Sequence, residues 1–274
     1  MQNLNLQLIK TSSSLDKIVL IERVDTKLLN LLINSNGILQ TTKRESHGQV
    51  FENEKQQLEM ILAKVKNNTL KVKHHISAHG YGRVYQEKSL SLFCLRRKLR
   101  HTLTRDKYTD IDVENAHPQL LKQIFEANNI QPIYLQKYVN DRQTIFEEII
   151  NEYNITRDDA KMLFISTMYG GTFENWLNGT NSDKKDKGPT IFITNYINEL
   201  AKLTKFIIDA NPALVKIISS KKGNISKSKM DASIVSIYLQ EKERTVLEQV
   251  FIFMKDKNLI VNNEAMLCFD GIMI

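Results

Sequence analysis

Two aspartates, Asp112 and Asp270, stand at the ends of short segments whose residues alternate or cluster as strands do. From such positions a carboxylate can reach a hard cation. Chemistry on phosphoryl groups uses two divalent ions about 3.5–4 Å apart, one activating the attacking oxygen and the other stabilising the leaving one. Mg2+ takes carboxylate oxygens and keeps water and substrate phosphate as its remaining ligands. The run Tyr108 to Val113 alternates with period two, which predicts a strand with Tyr108, Asp110 and Asp112 on one face. Ala265 to Phe269 predicts a second strand, and Asp270-Gly271 a hairpin turn. Adjacent strands would bring both carboxylates to one ion pair. Asp-Gly is also ordinary turn chemistry, so a structural reading stands beside the cation-binding one. Asp110 is a rival ligand on the same strand face.

A second set lies on one predicted helix. Arg157, Lys161, Ile165 and Tyr169 recur every four residues and so form a slowly drifting stripe. At 1.5 Å per residue the stripe spans roughly 18 Å. Two cations near a helix N-terminus suit a triphosphate, because helix polarity there also favours negative charge. The apolar residue and the ring beyond them could receive a base and sugar. The alternative is an amphipathic helix whose long cationic side chains snorkel from its edge.

The third set is basic. The 274 residues carry a formal charge of +7, and many cations crowd between Lys71 and Lys107, among them Arg83, Arg97 and Arg100. A second group, Lys221, Lys222, Lys227 and Lys229, surrounds Gly223. Such clusters fit nucleic-acid phosphates through contacts that ignore sequence and weaken with salt. An ordinary solvated basic face fits them too.

These residues need elements to hold them. Thr156 with Asp158 and Asp159 opens a helix that runs to Tyr169 and stops at Gly170-Gly171. Helices are also predicted over Glu52 to Val65, from His117-Pro118 to about Ala127, and over about Ile191 to Asp209 and Ala232 to Lys255. A polar, lysine-rich loop is expected around Asn178 to Gly188. Residues before 71 read as short apolar pieces with no identifiable chemistry. Cys94 and Cys268 cannot build a disulfide framework and have no metal-ligand spacing. With no leader-like opening and no apolar run of membrane length, the sequence predicts an intracellular protein with no membrane partner.

The order Gly82-Arg83, Asp112, Arg157-x3-Lys161-x3-Ile165-x3-Tyr169-Gly170, Asp270 resembles that of family A DNA polymerases and single-subunit phage-type RNA polymerases. Tyr108 through Pro118 looks more specifically like the first palm motif of transposon and viral polymerases, a divergent branch often joined to a helicase. The resemblance covers about residues 76–274. It implies an α/β (α+β), helix-rich right hand with a small antiparallel palm sheet. Residues 1–75 would be a thumb-like region or connector, 76–129 the first palm part, 130–230 the fingers, and 231–274 the second palm part.

It further implies a template-directed DNA polymerase using two Mg2+ ions (Mn2+ as a substitute), with DNA template-primer and dNTPs as partners. A helicase would follow as a downstream domain or separate chain, and a viral protein would work in the host cytoplasm or nucleus. Asp112 and Asp270 would be catalytic metal ligands, with the Val113 carbonyl as a further ligand. Lys161 would be catalytic and, with Arg157, would contact the triphosphate. Ile165 takes a position that is often Phe, and Tyr169 would stack near the templating base. His117 falls where a glutamate screens the ribose 2′-hydroxyl, so its bulk leans towards deoxynucleotides. Arg83, Arg97, Arg100 and Gln240 would contact nucleic acid. Two departures stand out: Phe269 replaces the family histidine, and Glu241 replaces a glycine beside Gln240. Gly271 to Ile274 leaves barely one return strand. These departures leave open a truncated or inactive palm-fingers module that binds nucleic acid, and a phage-type RNA polymerase or primase activity is a further alternative.

Overall fold

Apolar periodicity shapes the helices that carry the candidate residues, and a Thr156 cap opens the one that carries Arg157 and Lys161. The computed structural model describes residues 6–9, 12–38, 44–46, 49–77, 80–222 and 225–274. Gly223, at the centre of the second basic group, lies outside them. The architecture is helix-rich α+β with small antiparallel sheets. Contacts divide the chain into two units, one made of 1–9 and 115–240, the other of 10–114 and 241–274.

The first unit is helical. It holds α4 (Ala116–Glu126), α5 (Ile133–Asn140), α6 (Arg142–Tyr153), α7 (Arg157–Met168), α8 (Phe173–Gly179), α9 (Ile191–Ala210) and α10 (Pro212–Lys222). It also takes α11 (Lys227–Asp256) as far as Gln240. Thr156, Thr172 and Thr190 each accept a backbone hydrogen bond at the start of α7, α8 and α9. Its core is aromatic: Tyr138 stacks on Phe164 at 4.2 Å, and Tyr196 meets Phe164 edge-on at 5.2 Å. The Asn211 side chain ties down the chain's start, accepting from Leu8 N at 2.7 Å and donating to Leu6 O at 3.0 Å.

Among its described residues the second unit contains three antiparallel sheets. β1 (Val19–Arg23), β4 (Thr69–Ile76) and β5 (Val84–Gln86) form one in the order β1-β4-β5. β2 (Arg44–Ser46) and β3 (Gln49–Phe51) form a second. β6 (Asp110–Asp112), β7 (Met266–Leu267) and β8 (Gly271–Met273) form the third, in the order β6-β8-β7. α1 (Thr26–Ile33), α2 (Glu54–Leu62) and α3 (Arg97–Thr104) accompany them.

The segment after Asp270 forms β8. β8 is the central strand, paired with β6 on one side and β7 on the other. Its alternation divides two cores. Ile272 and its partner Leu267 join Leu20, Val84, Leu247 and Phe251, whereas Met273 and Met266 join Phe51, Leu58, Val72 and Leu99. The predicted strand at Tyr108 begins later, because the Tyr108 amide donates to Thr104 O at the end of α3, 3.1 Å away. The expected helix over Glu52 to Val65 starts later because Asn53 caps it, and it ends at Leu62.

Candidate functional site

Asp112 and Asp270 converge within the second unit. Asp112 ends β6 opposite Gly271, and the Val113 amide donates to Asp270 O at 3.0 Å. Partial burial raises the Asp112 carboxyl above its ordinary range, and the neighbouring charges of Asp270 and then Asp110 push it further. Two carboxylates in this arrangement repel each other unless a proton or a cation intervenes. Among the described residues no group of three or more His, Cys, Asp or Glu side chains could hold a metal. The donor set here is the two carboxylates Asp112 and Asp270, with the Val113 carbonyl nearby in sequence. It fits a hard divalent ion that keeps water or phosphate as its other ligands.

The hairpin that presents Asp270 is tightly made. Cys268 N donates to Gly271 O at 2.9 Å, closing a two-residue loop of Phe269 and Asp270. Phe269 has φ 62°, a left-handed conformation that favours glycine at the first position of such a loop. Its ring offsets that strain through contacts on several sides. Arg83 Cζ lies 4.4 Å from the ring centroid, Phe93 packs edge-on at 4.8 Å and Tyr85 edge-on at 5.8 Å. At Gly271, a Cβ would stand 2.5 Å from Ile111 O and 3.0 Å from Asp112 Oδ1, so only glycine lets β8 lie against β6 here.

Arg83 is committed to this scaffold. Its Nε donates to Glu243 Oε2 at 2.5 Å and a second nitrogen to Oε1 at 3.0 Å; its side chain is 25% exposed and that of Glu243 only 3%. Glu241 accepts from the Gly82 amide at 2.8 Å and pairs with the buried Arg244. The glutamate that departs from the family pattern beside Gln240 is thus a structural anchor. Arg100 donates to Phe93 O at 3.1 Å and lies over the Phe93 ring at 5.1 Å, whereas Arg97 projects from α3 into solvent.

The helical stripe belongs to the first unit. Arg157, Lys161 and Ile165 are exposed along α7, while Ala160, Leu163, Phe164 and Thr167 on its other face are buried. Arg157 also lies over the Phe146 ring at 5.4 Å. Tyr169 caps α7 at its C-terminus, and its hydroxyl meets His117 Nδ1 on the first turn of α4. Beside Tyr169, a cleft of about 530 Å3 is lined by Gly170, Thr172, Asn198, Thr204 and Asp231, among others. Gln240, on α11, donates to Ser236 Oγ at 3.0 Å within its own helix.

Sequence reasoning passed over Tyr85, Phe93 and Phe269 as a group. The available signal was the alternation Lys71-x-Lys73-x-His75 followed closely by Tyr85, in which cations and rings share one strand face.

No family model and no solved structure matches the chain. A Sputnik virophage protein named "Putative helicase V13" is 27% identical over 271 residues, covering 97% of this chain and 33% of that relative. The chain therefore spans about a third of the length of the curated relative it matches. That finding overturns the reading as a DNA-directed DNA polymerase, with its nucleotidyltransferase and replication roles. The relative matched along nearly the whole chain bears a helicase's name, and points to a different class of enzyme. The residues behind the polymerase reading also have structural work: Asp270 completes the Phe269-Asp270 loop and Gly271 opens β8.

Proposed function

We propose that this chain is a nucleic-acid-engaging module serving a viral protein of the helicase-named kind, and that Asp112 and Asp270 together hold a divalent cation, Mg2+ or Mn2+. The observation that carries the reading is the convergence of the two carboxylates on paired strand ends, where partial burial and then the charges of Asp270 and Asp110 raise the Asp112 carboxyl. A cation there would relieve their repulsion and present a positive centre to a nucleic-acid phosphate. Exposed basic side chains of the same unit, Lys71, Arg97 and Lys98, supply further phosphate contacts. The G-x4-G-K-[ST] run that cradles phosphates in P-loop NTPases does not occur in the 274 residues.

Thermal unfolding with and without Mg2+ or Mn2+ tests the cation site. A cation at a hundred times its Kd adds about 2.7 kcal/mol to the wild type. Asp112→Asn and Asp270→Asn should each lose that response. Without cation, each should be as stable as the wild type or more so, because a like-charge contact has been removed. A wild type indifferent to both ions would end the cation assignment. Labelled nucleic acid, titrated with and without Mg2+, tests the other half of the reading.

A further inference from the structure

The exposed face of the β1-β4-β5 sheet carries a pattern that the cation site does not use. On β4 the residues alternate, so that Leu70, Val72 and His74 face the core while Lys71, Lys73 and His75 face solvent. Cross-strand pairing sets Val19 opposite Lys73 and Ile21 opposite Lys71 on one side, and Tyr85 opposite His75 on the other. The rings of His75 and Tyr85 are neighbours at 6.3 Å. From Tyr85 the row continues to Phe269 at 5.8 Å and then to Phe93 at 4.8 Å, which brings it to the residue preceding Asp270. All of these residues lie in the second unit. Glu87 stands 3.8 Å from Lys73 with both side chains about half exposed (53% and 50%), too loose a pair to neutralise the face.

We infer that this sheet face binds a single strand of nucleic acid, with His75 and Tyr85 as base-stacking rings and Lys71 and Lys73 as phosphate contacts. The inference rests on the nucleic-acid reading given above and adds to it the form of the ligand and its seat. Interleaved rings and cations on one surface match what single strands offer, namely a π-face on every base and a charge on every phosphate. A duplex hides its base faces in the stack, so the rings would have nothing to receive there. Stacking on the face of a base tolerates any sequence. The row passes through Phe269, the residue preceding Asp270, so a strand lying along it comes near the paired carboxylates.

The test is fluorescence anisotropy of the full 274-residue chain with a labelled oligothymidylate of about 12 nucleotides, a length within the span of such sites, and with a duplex of equal length. The single strand should bind more tightly than the duplex. Tyr85→Ala and His75→Ala should each weaken it about ten-fold, and Tyr85→Phe should keep wild-type affinity, because the ring and not the hydroxyl stacks. Lys71→Ala with Lys73→Ala should lower the slope of log K against log salt by about 1.4, two contacts at 0.7 each. His75 is solvent-exposed, so its variant reports binding even where Tyr85→Ala fails to fold. Wild-type affinity in the His75 variant, together with a preference for duplex, overturns the inference while leaving nucleic-acid binding intact. A wild type that binds neither form removes the underlying reading as well.

Discussion

At the scale of single residues, the candidate site depends on how closely two backbones approach. Gly271 is the contact point, since an added Cβ would meet Ile111 O at 2.5 Å and Asp112 Cα at 3.0 Å. Both neighbours are backbone or its immediate attachment and cannot swing away. Gly271→Ala should therefore push β8 from β6, lowering stability by about 1–3 kcal/mol as overpacking does. It should also weaken cation binding, because the same displacement separates Asp112 from Asp270. Urea midpoints and a Mn2+ titration of the variant measure the two effects. Unchanged values for both would mean that the strands do not approach as described. The sequence singled out the two aspartates by type and strand position, and it read Asp270-Gly271 as the turn that the structure places one residue earlier, at Phe269-Asp270. It did not expose the reason for Gly271, which lies in a strand distant along the chain. Nor did it show that Phe269, conformationally unsuited to its place, is held by Arg83, Tyr85 and Phe93.

At the scale of elements, the β1-β4 pair contains two buried titratable groups with opposite effects. Burial raises Glu22 to about 7 despite hydrogen bonds from the Ser91 hydroxyl and the Leu92 amide, and burial lowers His74 to about 4. From an ordinary 4.5 up to 7, folded Glu22 keeps a proton that the unfolded chain releases, so stability falls as pH rises through that window. From 4 up to an ordinary 6.5, folded His74 lacks a proton that the unfolded chain binds, so stability rises with pH there. The two slopes oppose each other where the windows overlap. Urea midpoints should thus be nearly level across the middle of the acid range, fall below it through His74, and fall towards pH 7 through Glu22. Each window amounts to a few kcal/mol at about 1.4 per pKa unit. Glu22→Gln should abolish the decline towards pH 7, leaving stability rising from pH 4 to 6.5. If the Gln variant keeps the wild-type decline, Glu22 is not its source. None of this was readable beforehand, because residues before 71 showed only short apolar pieces and β4 looks merely basic. The helix α7 was readable, since Thr156, the four-residue period and Gly170 mark its start, face and end with local chemistry.

At the scale of the whole molecule, what could be read in advance was the general class: helix-rich, with small antiparallel sheets. The pairing of β6 with β8 and β7 joins segments far apart in sequence, and three-residue strands carry too little periodicity to announce their partners. Motif order suggested an enzyme class that the helicase-named relative contradicts. Charge is a property of the molecule that survives this correction. The excess of +7 includes Lys71, Arg97 and Lys98, which are exposed and have no salt-bridge partner among the described residues. If these three and Lys73 meet phosphates, four contacts on a single strand give a slope of log K against log salt of about −2.8, at −0.7 each. Raising salt from 50 to 200 mM should then cut affinity about fifty-fold. Arg97→Ala with Lys98→Ala should halve the slope to about −1.4. A stacking-only interaction would show little salt dependence, and a slope unmoved by these substitutions would place the phosphate contacts elsewhere on the protein. Measured together with the ring variants, the slope separates the charge contribution from the stacking contribution, since cations set its steepness and rings set the affinity that remains at high salt.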